Sequence, residues 1–259
     1  MKSIQILVYT IALVGLHSCN KDELVIQQGE CMPFSISDTY KYPIVPGTEE
    51  WKEFQTSIEM VQACQIPDKK LKSISTEGLL ETLLRYPLIL DYMAANLQQD
   101  GFERIKSQNN GFEELYGRTD FFDVITERYE LMSLNCEKNL YPPFINGIET
   151  PIQISFQTIE FFMYQDDLLK NINSNQRIQI LEIVFDKLQA KEEYGISQNE
   201  YLVSFAILGK IMLLENYSPF VIINEENNIV PRLEGIPIGF DFTLLKLIEE
   251  NAKEFKASR

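Results

Sequence analysis

Histidine is almost missing from this 259-residue chain: there is one, His17, and it falls in a leader expected to be removed. A histidine-free mature protein has no Ser-His-Asp or Cys-His nucleophile pair, no histidine zinc site and no HExxH metalloprotease motif. Proton transfer would fall to carboxylates, lysine, tyrosine or cysteine. Glycine-rich phosphate loops, GxSxG elbows and EF-hand patterns are also lacking, so no cofactor and no metal are expected. Cysteine is scarce, with Cys19, Cys31, Cys64 and Cys136 and no CxxC. If Cys19 carries lipid, three remain, enough for at most one disulfide and too few for a framework. Cys64 and Cys136 are expected as buried, unpaired small hydrophobes. Basic residues are few: without residues 1–18 the chain has 22 Lys and Arg against 38 Asp and Glu, a net charge of −16. Such a surface repels phosphate backbones, which excludes nucleic acid as a partner.

Long apolar runs are lacking too, apart from Ile4 to Leu16, broken only by Gln5, Tyr9 and Thr10 and preceded by Lys2. Thirteen helical residues span about 20 Å against roughly 30 Å of bilayer hydrocarbon, so a signal peptide is the expected reading and a membrane anchor the weaker one. The run ends in Leu16-His17-Ser18-Cys19, which resembles the bacterial lipobox, with His17 departing from the usual small residue. The resemblance implies cleavage after Ser18 and lipidation of Cys19, hence a partner membrane reached through acyl chains. Asn20-Lys21-Asp22-Glu23 is similar to the acidic export tetrad of Bacteroidetes surface lipoproteins, and reads equally as the start of a solvated linker. The expected organisation is a leader over 1–18, a lipidated flexible tether over 19–47 with Pro33, Pro43, Pro46 and Gly47, and a single domain over 48–259.

With 45% hydrophobic residues, that domain has enough apolar surface for one core. Helical spacing dominates. Thr48 caps a segment with Glu49 and Glu50 in its first turn and Trp51, Phe54, Ile58 and Val61 on one face, closed by Pro67. Ser75 caps a leucine-rich helix ended by Pro87, and Leu88 to Leu97 reads as another. Two Gly-Phe-Glu units, at 101–103 and 111–113, start short helices. Further helices are expected from Asp120, from Thr150-Pro151 to about Lys170, and over Asn173 to Lys191 with a stripe of Ile178, Leu181, Val184, Phe185 and Leu188. Ser197 and Glu200 form a capping box before a central helix through Phe205, Leu208 and Met212, and a last helix starts near Asp241. The fold class expected is all-α, about eight helices packed as antiparallel helix hairpins in a compact irregular array. Residues 220–232, with a polar run between Val221-Ile222-Ile223 and Ile229-Val230, admit one short β-hairpin.

The run Ser75 to Leu88, ending in Tyr-Pro-Leu, followed by Gly101-Phe102 and Asn110-Gly111-Phe112, resembles an uncharacterised family of secreted Bacteroidetes lipoproteins with a helical body and no known activity. The resemblance implies a helical fold and an outer-membrane, surface-exposed address, and lends no catalytic residues. Glu160 and Asp167 lie two turns apart on one helical face and are the carboxylates on which a hydrolase of an extracellular polymer would rest. Asp166 and Asp167 diverge by about 100° and cannot face one bond. Phe161 to Tyr164 reads as core. The loop 133–150 is the candidate ligand-binding segment, with Tyr141, Phe144 and Asn146 as its first candidates, and the stretch 217–240 is the second. The expectation is therefore a non-catalytic, lipid-anchored surface module that binds a protein or glycan. The alternatives are the carboxylate-dependent hydrolase and a purely structural subunit of an outer-membrane complex.

Overall fold

In a computed structural model, residues 36–135, 151–233 and 242–259 are described. They are all-α, with no strand among them. The elements are α1 (Glu49–Glu53), α2 (Ser57–Ala63), α3 (Asp68–Leu71), α4 (Thr76–Leu84), a 3-10 turn over Ile89–Ala94, α5 (Gln98–Gln108), α6 (Asn110–Tyr116) and α7 (Phe121–Glu130). After residue 150 come α8 (Ile152–Tyr164), α9 (Asp166–Leu169), α10 (Ser174–Tyr194), a 3-10 turn over Gln198–Glu200, α11 (Leu202–Leu214), α12 (Ser218–Asn227), α13 (Ile229–Leu233) and α14 (Phe242–Ala257). The helices are shorter and more numerous than the eight expected, because two of the apolar stripes are interrupted.

Thr56 shows how. It forms a full capping box with Glu59, so the stripe from Trp51 to Val61 splits into α1 and α2 at Phe54 and Gln55. Gln165 splits the helix expected to reach Lys170: its backbone is extended, and its buried amide donates to the Phe161 carbonyl at 2.7 Å, closing the end of α8. Leu88 to Leu97 is tighter than expected, a 3-10 turn rather than an α-helix.

The β-hairpin expected at 220–232 is not formed; the segment is α12 followed by α13. Pro219 sits in the first turn of α12, where a missing amide proton costs nothing. The polar run 224–228 is that helix's end rather than a strand turn, with Asn228 left-handed (φ 50°) and donating from its backbone to the Asn224 carbonyl. Burial explains the choice: Phe220 and Val230 both close on Gly209 of α11, where an added Cβ would lie 2.8 Å from Val230 and 3.2 Å from Phe220.

Helix α11 is apolar on most sides, Ser204 and Lys210 excepted, and central, touching α8, α10, α12, α13 and α14. α10 is the longest element, opened by an Asn173–Gln176 capping box and closed by Gly195 in the left-handed region. Towards the N-terminal side, Tyr92, Phe102, Phe112, Phe161 and Phe162 form an aromatic cluster with centroids about 4.7 to 6.4 Å apart. Phe161 to Tyr164 is core, as the sequence predicts. The chain ahead of α1 packs on the body: Tyr42 is buried, the Tyr40 amide donates to Thr82, and Asp38 accepts from the Ser75 amide at 2.6 Å. Cys64 is buried and unpaired. No single described helix is long and apolar enough to cross a membrane.

Candidate functional site

Two polar constellations stand out, one sealed and one open. The sealed one begins with Lys191, which continues the α10 stripe of Leu181, Val184 and Leu188 at helical spacing and is therefore driven into the core. Its ammonium donates to Glu160 Oε1 of α8 and to Ser204 Oγ of α11, the latter at 2.9 Å. Ser204 donates to the same Glu160 oxygen at 2.9 Å, and so does the Tyr129 hydroxyl of α7. Glu160 and Ser204 have no exposed surface, and Lys191 keeps 1%. Phe156 and Tyr201 flank the ammonium, 5.0 and 6.0 Å from ring centroid to Nζ. Burial pulls the Lys191 amine below its ordinary value and pushes the Tyr129 phenol well above its own. Glu160 Oε1 thus takes three donors, while Oε2, also buried, has no hydrogen-bond partner.

The open constellation is a cleft of about 580 Å³ where the end of α5, one face of α6 and α9 with the residues after it converge with the turn after α2. Its frame is made of carboxamides bonded to backbone. Gln65 donates to the Val61 and Gln108 carbonyls and accepts from the Asn110 amide, and the Asn110 side chain pairs with both backbone groups of Ile66. Asn109 donates to the Cys64 carbonyl and accepts from the Gly111 amide. Fixed backbone groups hold these side chains, so the cleft is pre-organised.

Lys106, Tyr116 and Asp167 sit within this frame. Lys106 lies 2.5 Å from Asp167 and 2.8 Å from Glu103, and stands 5.6 Å from the Tyr116 ring centroid. Burial opposes its charge, but the two carboxylates outweigh it and raise its pKa. The Tyr116 hydroxyl is committed to the Phe162 carbonyl at 2.9 Å, leaving its half-buried ring towards the cleft. Gln108, Glu113 and Asn171 complete the rim, exposed. Among the described residues, the side chains of Gln108 and Glu113 have no hydrogen-bond partner, and Asn171 uses only its amide nitrogen, towards the Asp167 carbonyl.

The two carboxylates singled out by sequence are therefore separated by environment: Asp167 lines the cleft, whereas Glu160 is sealed in the core and lines none of the described cavities. They do not flank one open space, as a glycosidase pair must. Asp166, the neighbour of Asp167, turns to Lys170 and Lys210, each at 2.7 Å. Cys19, Tyr141, Phe144 and Asn146 lie outside the described residues. Of the second candidate loop, the part to residue 233 is helical and the rest lies outside the described residues. No group of three metal-ligating side chains occurs among the described residues.

Sequence reasoning missed Lys191 and Ser204, although each is a polar residue inside an otherwise apolar stripe. It also missed Lys106, Tyr116 and Asn171, whose convergence depends on tertiary packing. Asn110-Gly111-Phe112 was visible as a motif, and its role is now physical: the amide stitches α6 to residue 66, the glycine admits Ile66 and Leu83 at under 3 Å from an added Cβ, and the ring enters the aromatic cluster. Comparison with known families, with curated proteins and with solved structures finds no match to this chain.

Proposed function

We propose that this chain is a lipid-anchored cell-envelope protein whose helical body is a non-catalytic binding module, with the α5–α6–α9 cleft as its ligand site and a neutral glycan as the ligand. The observation that carries the reading is the cleft itself. Its volume lies within the roughly 300–1,000 Å³ usual for ligand pockets, and its walls are held by amides bonded to backbone. Its one cation is neutralised by two carboxylates, so the site offers no free positive charge to an anionic polymer. The open valences of Gln108, Asn171 and Glu113 suit hydroxyl groups, which donate and accept, and the Tyr116 ring is a surface for the apolar face of a sugar. The net charge of −16 without residues 1–18 argues further against acidic glycans.

The address rests on the lipobox ending in Cys19 and on Asn20-Lys21-Asp22-Glu23, which together favour the outer membrane and its outer face. A double substitution at the exposed rim, Gln108→Arg with Asn171→Arg, adds bulk and charge without touching the frame. Screening neutral oligosaccharides with the intact protein and titrating the best one calorimetrically should show binding that this variant weakens at least tenfold. No binding to any neutral glycan, or equal binding by the variant, would refute the site. Stoichiometric recovery of an outer-membrane protein without glycan would support a complex-forming subunit instead.

A further inference from the structure

We infer that an apolar groove on the far side of Gln108 from the cleft receives a hydrocarbon chain, so that the ligand is a neutral glycoside bearing an alkyl or acyl group. This rests on the cleft reading above and names the class of glycoside that the cleft takes. The capping box at Thr56 starts α2 afresh, off the stripe that Trp51 and Phe54 begin, and α2 then buries none of its residues completely. Its apolar side chains Ile58, Met60 and Val61 instead wall a groove of about 480 Å³, closed on the other side by Leu88 and Ile105. Ile58, 66% exposed at the second position of α2, is the most exposed large apolar side chain among the described residues. Apolar side chains gathered around an open concavity with a polar rim mark a binding surface.

Continuity, charge and wall chemistry together name the occupant. Gln108 lines both spaces, and Arg104, one turn before it on α5, lies in the groove. The Gln65 carboxamide, part of the cleft frame, bonds to the carbonyls of Val61 and Gln108, both of which line the groove. Cleft and groove therefore share a wall, and a molecule lying over the exposed Gln108 reaches both. The groove holds one carboxylate, Asp91, and one guanidinium, Arg104, which stands in the field of Asp91 and donates to its carbonyl at 3.3 Å. These charges offset each other, so the groove offers no counter-charge to an ionised chain. The side chains of Ile58, Met60, Val61, Leu88 and Ile105 are hydrocarbon or thioether. They present no donors or acceptors to a peptide, whose backbone groups would lose water without gaining partners. Hydroxyl-binding carboxamides on one side of Gln108 and hydrocarbon on the other match an uncharged amphiphile with a sugar head.

Calorimetric titration of the intact protein with paired methyl and hexyl β-glycosides of glucose, galactose, mannose and N-acetylglucosamine tests this, each kept below the concentration at which it forms micelles. A fully buried methylene is worth about fourfold in affinity, so five added methylenes lying in a half-open groove should tighten binding of at least one sugar tenfold or more. Ile58→Asp sets a charge at the groove mouth, at a helix start where an acidic residue is favourable, and should bring the hexyl-to-methyl ratio close to one. Asn171→Arg, at the cleft rim only, should weaken both members of the pair and keep their ratio. No hexyl gain for any sugar, or a gain that Ile58→Asp leaves intact, would overturn the groove, and methyl glycosides still weakened by Asn171→Arg would then leave the cleft standing. A hexyl gain lost in Ile58→Asp but indifferent to Asn171→Arg would keep the groove as a hydrocarbon site and refute the cleft as the sugar site.

Discussion

Gly101 offers the sharpest test of how the helices around the cleft are held. An added Cβ there would stand 2.5 Å from the Tyr92 carbonyl oxygen and 2.7 Å from the Tyr92 Cα, both backbone atoms of the 3-10 turn against which α5 packs. Backbone cannot rotate aside as a side-chain tip can, so Gly101→Ala must push α5 off the turn. Overpacking of this kind costs roughly 1–3 kcal/mol, offset by about 1 kcal/mol of improved helix propensity. Because the clash is with backbone, the upper part of that overpacking range, about 2–3 kcal/mol, applies, and the net expectation is a loss of about 1–2 kcal/mol. Gly117→Ala is the control: it caps α6 with φ −79°, and its nearest atoms are two carbonyl oxygens at 3.4 and 3.5 Å. Alanine fits there and should be neutral or stabilising by up to about 1 kcal/mol. For a body of this size each kcal/mol moves Tm by about 2–4 °C, so a gap of about 1–3 kcal/mol between the two variants should separate them by roughly 2–12 °C in a thermal melt. Equal or higher stability for Gly101→Ala would refute the close approach on which the α5 position rests.

Lys187 donates to the carbonyls of Glu130 and Met132, and burial lowers its pKa to about 8 from 10.5. Between those values the unfolded chain binds the extra proton, so its contribution makes stability rise with pH from about 8 towards 10.5. Urea unfolding at several pH values should show that component of the slope missing in Lys187→Met. Arg128 and Glu81 form a buried pair at 2.6 Å, so Arg128→Met should destabilise, by less than the roughly 3–5 kcal/mol of a fully broken buried pair because Arg85 remains 3.5 Å from Glu81. The exposed Lys52–Glu49 pair should cost under about 1 kcal/mol when broken, by the same denaturant assay. Burial raises the Cys64 thiol to about 12, so iodoacetamide at pH 8 should label it only after unfolding; rapid labelling of the native protein would contradict the packing of residues 64–66.

The legible parts of this fold were those written in local chemistry. Ser75, Thr48 and Asn173 start their helices as read, the Ser197–Glu200 box forms but opens a 3-10 turn ahead of α11 rather than α11 itself, and α11 is central because it is apolar on most sides. Local chemistry also holds further signals: Thr56-x-x-Glu59 divides α1 from α2, and Ser218-Pro219 opens α12 where two apolar runs around a polar one suggest a hairpin. Strand and helix compete closely for a short apolar run beside a polar one. Here the deciding term was non-local, the fit of Phe220 and Val230 against Gly209. The cleft was hardest to foresee because Gln65, Lys106, Tyr116 and Asp167 come from four separate segments, and none is unusual in its own. Glu160 and Asp167 share a helical period in sequence, yet the extended backbone at Gln165 sends one inward and the other to the rim.

Hydrogen exchange read by mass spectrometry, on the intact protein with and without a saturating amount of the tightest neutral oligosaccharide, addresses the binding role most directly. Ligand seated in the cleft should slow exchange in residues 106–117 and 166–171 and leave α12 and α14 unchanged. Protection confined to other segments, or none at saturation, would contradict the assignment of the cleft as the ligand site.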